Sequence, residues 1–263
     1  MTALAAPADD EVILPGQVQQ GAMVIGKVPP NSRVVYDGTR LPVTDYGTIV
    51  FGIGRDASGR AKLSVTTPGG DKRHASVAIR PRDWPIERVN GVPPKTVSPP
   101  SDVAERIARE RRQVTQARAS SNNGLGFAQR FIWPVRGRIS GRFGNQRVYN
   151  GTPGSAHSGM DIAAARGTPV EAPAAGTVVL AESDLYFTGG TVLIDHGYGI
   201  GSNFLHLSRL NVAVGDQLEQ GEIIGEVGAS GRATGSHLHW GMTWQSTRID
   251  PLLVLERGGN ARQ

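Results

Sequence analysis

The sequence predicts a mainly β protein, and three observations carry that expectation. Of its 263 residues, 35 are glycine and 17 are proline, which punctuates the chain into short segments. Between the breaks lie alternating or β-branched runs such as "AMVIGKV", "GTVVLA" and "GGTVLIDHG". Apolar runs with helical spacing are scarce. The expected layout is a small β-sandwich-like module over residues 11–85 and a proline-rich linker with one helix over 86–126. A C-terminal all-β antiparallel domain follows over 127–256. A chain of this length can bury cores for two modest domains.

Taken in order, the opening "MTALAAPADD" lacks a basic stretch and an apolar stretch, yet "ALAAPA" resembles the small-residue end of a cleaved secretion signal. That favours an exported protein. Residues 11–81 read as strands between turns: "AMVIGKV", "SRVVYDG", "GTIVFGIG", "AKLSVTTPGG" and "HASVAIRP" are each bounded by Gly, Pro, Asn or Asp. Nothing in this module has a catalytic pattern, and His74, in a polar turn-to-strand segment, reads as a surface residue. "NGVPPKTVSPPSD" is a semi-rigid connector. In "SDVAERIARERRQVTQARA", Ser101 or Asp102 can cap a helix whose Val103, Ile107 and Val114 share one face. The stripe is thin, so the helix is expected to lean on a neighbour with its charged side in water. No aromatic residues interleave with its arginines to stack bases, which argues against nucleic-acid binding. From about Phe127 onward the β texture returns.

Composition narrows the chemistry further. The formal net charge is +5 and the lysines are Lys27, Lys62, Lys72 and Lys95 alone. Acidic residues are interspersed, so the basic balance reads as solvated surface rather than as a site for anionic polymers. With no cysteine, disulfides and thiolate metal sites are excluded. No apolar run approaches the roughly 18 residues of a membrane span.

Five of the six histidines fall in the span from His157 to His239. In a strand, residues i and i+2 share a face. "GSHLHW" therefore sets His237 beside His239 and turns Leu238 and Trp240 toward packing. By itself such a pair is equally a polar patch or half of a metal site. "HSGMDIAA" adds His157 and Asp161, four residues apart, which can be a hydrogen-bonded pair or two ligands. Two histidines and a carboxylate would suit zinc and leave a fourth tetrahedral position open for water. Magnesium or calcium would want more oxygens. His206 in "NFLHLS" sits on an apolar strand pattern, where a lone histidine is ordinarily a satisfied core residue.

In their order and spacing, "HSGMD", "FLHLS" and "GSHLHW" resemble the lysostaphin/LytM-type zinc endopeptidases. So do "SGRFGNQR", "GTPVEAPAAGTVV", "VLIDHGYG" and "VAVGDQLEQGEIIGEVGASGRATG". The resemblance runs over roughly residues 131 to 255 and does not reach the N-terminal module. It implies that His157, Asp161 and His239 bind Zn2+. It implies that His206 and His237 are the catalytic histidines, one taking a proton from water and the other supporting the developing oxyanion. The implied substrate is the peptide cross-link of bacterial peptidoglycan, and the implied place is the periplasm or cell envelope of a Gram-negative cell. Phe204 stands where this family often has tyrosine, and it is a substrate-binding candidate on that ground. Arg147 is a second candidate, for a substrate carboxylate, although a structural ion pair explains it as well. His196, in "IDHGYG", matches a recurrent family histidine that is not a ligand and reads as a hydrogen-bonding residue of a hairpin turn.

The N-terminal module is expected to restrict access to the groove, to locate the protein on the wall, or to bind a regulator. A non-catalytic relative that binds the wall or activates other hydrolases is the alternative reading. All five histidine and aspartate positions are intact, which speaks for catalysis. "VEAPAAGTVV" with "VGDQLEQGEIIGEVG" also echoes biotin- and lipoyl-carrier hairpins, but a carrier needs a lysine and none follows Lys95.

Overall fold

The computed structural model describes residues 11–120 and 122–257. The "ALAAPA" stretch lies outside the described residues. Between Arg82 and Asp83 the chain divides into two compact units. Both are mainly β, as the sequence predicts.

The N-terminal unit holds two sheets. One has five strands in the order Gln17–Gln19, Lys72–Arg80, Arg60–Thr66, Arg33–Tyr36, Thr39–Leu41; the other pairs Met23–Lys27 with Thr48–Gly52. The strand Arg60–Thr66 shows the period of two plainly. Ala61, Leu63 and Val65 are at most 3% exposed, whereas Arg60, Lys62 and Ser64 face water. Val34, Phe51 and Val77 complete the buried side. Each buried Leu, Val or Phe contributes roughly 1.5–3 kcal/mol to stability. His74 is exposed, with the Ser64 hydroxyl at 3.4 Å from its Nδ1.

The C-terminal unit begins earlier than the β texture suggests. Residues Ile86–Val89, expected in the linker, form a strand that pairs parallel with Gln146–Tyr149. The antiparallel pattern expected of this half therefore has one exception. Helix Ala104–Arg118 is present, but Ser101 and Asp102 lie in a preceding 3-10 turn and the helix has no side-chain cap. Its Ile107 is buried. Its Val114 and Ala117 pack on Leu180, Leu185 and Leu193, so the apolar stripe does lean on a neighbour. A short helix, Pro251–Arg257, closes the described chain.

The main sheet of this unit has eight strands, and the central run is Gly176–Leu185, Gly189–Asp195, Ile200–Leu207, His237–Trp244, Met160–Ala163. One face is the core. There Val192, Ile194, Phe204, Leu238, Trp240 and Ile162 are all at most 1% exposed. The opposite face carries Asp161, His237 and His239 and forms the floor of a groove of about 640 Å³.

Candidate active site

Strand register brings the site together. Met160–Ala163 and His237–Trp244 run antiparallel with Asp161 directly opposite His239 and Ala163 opposite His237. Same-face neighbours across such a pair lie about 5 Å apart at Cβ. The carboxylate thus meets one imidazole and passes close to the other: Asp161 Oδ1 is 2.8 Å from His239 Nδ1 and 3.9 Å from His237 Nε2. His157 enters from the turn before Asp161, with its Nε2 3.0 Å from both Asp161 Oδ1 and His239 Nδ1. Gly159 makes that turn possible. A Cβ there would lie 2.8 Å from His239 Nε2.

The outward-facing atoms of the three side chains are also engaged. His157 Nδ1 donates to the Arg142 carbonyl at 3.0 Å, which leaves its Nε2 as the inward lone pair. His239 Nε2 has Ser158 Oγ at 3.4 Å, and its Nδ1 faces inward. Asp161 Oδ2 accepts from Arg147 Nη2 at 2.6 Å, and Arg147 Nε donates to Glu87 Oε2 at 3.2 Å. Arg147 and Glu87 are register partners on the parallel pair. Gly141 keeps the path open, because a Cβ there would come within 2.5 Å of Asp161 Oδ2.

Two imidazole nitrogens and a carboxylate oxygen thus face one another at 2.8–3.0 Å. Three inward lone pairs repel unless a cation or proton sits among them. Around zinc with bonds of about 2.0–2.1 Å, tetrahedral ligand atoms would stand roughly 3.3 Å apart, so a small inward relaxation separates this set from one face of a zinc tetrahedron. The residues fit the metal in number, type and outer-atom support. All three are 6% exposed or less.

Electrostatics agree with that geometry. Burial pushes the Asp161 carboxyl up, but the His157 and His239 rings outweigh it and hold the group well below the usual carboxylate range. Burial pushes His239 down to about 4, against the pull of Asp161. His206 is pushed down to about 3, first by burial and then by His237 and His239. Burial alone would lower Arg147, yet Asp161 beside it raises the guanidinium on balance.

His206 reaches the groove through an irregularity. Its φ is +67°, and the pairing of its strand with Gly189–Asp195 shifts register there, from Val192↔Phe204 to Gly190↔Leu207. One extra residue on the Ile200–Leu207 side is a β-bulge, which re-aims a side chain. Leu205 and His206, neighbours in sequence, consequently both line the groove. A non-glycine residue at positive φ carries backbone strain of about 1–3 kcal/mol. His206 Nδ1 donates to the Ser230 carbonyl at 2.7 Å and His237 Nδ1 to that of Gly235 at 2.9 Å. Among the described residues neither Nε2 has a hydrogen bond, and the ring centroids lie 4.8 Å apart.

All five histidine and aspartate residues singled out from the sequence therefore line one groove. The two substrate-binding candidates do not fare alike. Phe204 is 0% exposed on the core face, opposite Trp240 and Val192 in register. Its ring is out of reach of a substrate, and that expectation is corrected: residue 204 alternates away from Asn203 and Leu205. Arg147 lines the groove but is 9% exposed and saturated by Asp161 and Glu87, so it supports the carboxylate. His196 is fully buried, bonded through Nδ1 to the Ala175 carbonyl and through Nε2 to Ser202 Oγ, both at 2.8 Å. Sequence reasoning missed Glu87 and the carbonyls of Arg142, Ser230 and Gly235. Main-chain acceptors leave no residue-type signal, and Glu87 lies in what reads as linker.

Comparison with known proteins places this geometry. The model of Peptidase family M23 matches residues 155–251. A crystal structure of a Pseudomonas aeruginosa protein assigned to peptidase M23 superposes over 93% of this chain and 95% of that one, at 32% identity and a TM-score of 0.68. Cell division protein DipM of Caulobacter vibrioides is 37% identical over 134 residues, 49% of this chain and 21% of DipM. Peptidoglycan DD-endopeptidase ShyA of Vibrio cholerae is 38% identical over 113 residues, 43% of this chain and 26% of ShyA. The match thus spans about a quarter of the length of these two relatives.

Proposed function

Since the chain belongs to peptidase family M23, we propose that it is a zinc-dependent endopeptidase that hydrolyses peptide cross-links of bacterial peptidoglycan in the periplasm or envelope of a Gram-negative cell. The observation that carries this reading is the convergence of His157 Nε2, Asp161 Oδ1 and His239 Nδ1 at 2.8–3.0 Å on the groove floor. In this reading those three atoms hold Zn2+. Zinc held there supplies Lewis acidity for the scissile carbonyl and lowers the pKa of water toward about 7.

The chain's own residues do the rest. His206 and His237 each present Nε2 to the groove with Nδ1–H fixed on a carbonyl, so each is set to take or give a proton at one defined atom. One of them accepts the proton of the attacking water and passes it to the leaving amine; the other hydrogen-bonds the oxygen on which charge develops. Arg147 and Glu87 orient Asp161, and Arg142 and Ser158 orient the two ligand rings. The open groove admits an extended peptide.

The test is digestion of purified muropeptides by the protein with zinc and after chelation, with products identified by mass. New amine and carboxyl ends that appear only with metal support the reading. Wall binding without cleavage in either condition would replace it with the non-catalytic alternative.

A further inference from the structure

Five arginines line the groove, and Arg88 among them is exposed to solvent. Arg147 is neutralised by Asp161 and Glu87. Arg232 lies over the rings of Tyr149 and Phe187, at 4.5 and 5.4 Å, and donates to the Thr96 carbonyl. Arg118 and Arg248 differ. Both line the groove, and among the described residues neither has a carboxylate within 4.0 Å. Arg118 Nε is withdrawn from solvent and has no hydrogen-bond partner among the described residues. The strongest charge it senses is another cation, Arg248, which with burial lowers its pKa.

A desolvated guanidinium facing a like charge is costly unless an anion joins it. Two guanidiniums in one groove are suited to a carboxylate, which they hold by charge-assisted bonds. Their position fixes which carboxylate. Arg248 is the register partner of Thr243, four residues along the strand from His239. That is about 13 Å of strand at Cα, part of which the long side chains span. The full distance corresponds to about four residues of extended peptide, and the side-chain reach shortens it.

We propose that Arg118 and Arg248 form a subsite of the groove that binds a free carboxylate of the substrate peptide, a few residues from the scissile bond. This rests on the reading of the groove as a cell-wall endopeptidase site. There, diamino diacids linked through their amines leave carboxylates free along the peptide. The subsite selects cross-links that carry the charge over those that carry a carboxamide.

The experiment uses paired peptides built around one diaminopimelate cross-link, identical except that the free carboxylates of one are carboxamides in the other. Versions with the scissile amide reduced to a methylene-amine are titrated calorimetrically into the zinc-loaded full chain. The carboxylate form is expected to bind about tenfold tighter or more, the range of a hydrogen bond to a charged group. R118Q and R248Q should each remove most of that preference and leave binding of the carboxamide form unchanged. Arg248 is exposed, so R248Q decides the matter if R118Q unfolds. Equal binding of the two forms to the wild-type chain, or a preference that survives R248Q, overturns the subsite. Hydrolysis of the unreduced peptides is followed separately. No hydrolysis alongside a clear carboxylate preference would sink the peptidase reading and leave the subsite standing.

Discussion

Two antiparallel strand pairs, one in each unit, obey the same alternation and put it to different use. In the pair Arg60–Thr66 with Lys72–Arg80, one face packs Leu63, Val65 and Val77, and the other carries Arg60, Lys62 and His74 into water. In the pair Met160–Ala163 with His237–Trp244, one face packs Ile162, Leu238 and Trp240, and the other carries Asp161, His237 and His239. Here the polar face is sunk: Asp161 is 6% exposed and His239 4%. Solvated charges interact weakly with one another. Withdrawn ones must be matched by partners, and the matching is what produces a converging His–Asp–His set, a supporting arginine and perturbed imidazoles. Alternation creates a polar face, and the walls around it decide whether that face becomes a site.

That contrast can be broken or sharpened by substitution. The largest effect is expected at the sunken face. H239A or H157A should lower peptidase activity by about 1,000-fold or more, the several kcal/mol a Lewis acid contributes. Elemental analysis should show zinc content falling in step; full zinc retention with full activity would remove these residues from the metal. H206A and H237A should lower kcat by about 100- to 10,000-fold as general acid–base groups, with zinc still bound one per chain. Loss of zinc in either would assign it to the metal instead.

In the N-terminal unit the large effect is apolar. L63A should destabilise that unit by about 2–5 kcal/mol, read from its denaturant midpoint, and an unchanged midpoint would deny Leu63 its place in the core. R147Q tests whether the supporting layer matters. It should weaken zinc affinity by about 10- to 100-fold with little loss of fold, measured by competition with a chelator. The smallest effect is expected at K62A, on the solvated face, within about 0.5 kcal/mol of wild type. A larger change would show that this face carries interactions its exposure does not suggest.

Much of this was readable along the chain. The "HLHW" alternation places two imidazoles on one face, and Leu238 and Trp240, both 0% exposed, occupy the other. The spacing of Val103, Ile107 and Val114 announces a helix with one apolar side, and Ile107 and Val114 are on it. Three readings needed correction, each for a definable reason. Resemblance of position marks Phe204 for substrate, whereas strand phase turns it into the core. Ile86–Val89 sits among proline-rich text, so its pairing with Gln146–Tyr149 leaves no local pattern. The helix start has Ser101 and Asp102, good capping residues, but an intervening 3-10 turn moves the true start beyond their reach.

Residue types, strand faces and the presence of two β regions are local properties, set by backbone stereochemistry and side-chain polarity within a few residues, and the sequence alone determined them. It also supplied the five candidate side chains. Only the folded sheet decided that Asp161 stands opposite His239, 78 residues away, that Arg147 closes on the same carboxylate from a third strand, and that a bulge swings His206 into the groove. Register between distant strands follows from how the whole sheet packs its apolar face, and that information is spread over residues that take no part in the chemistry.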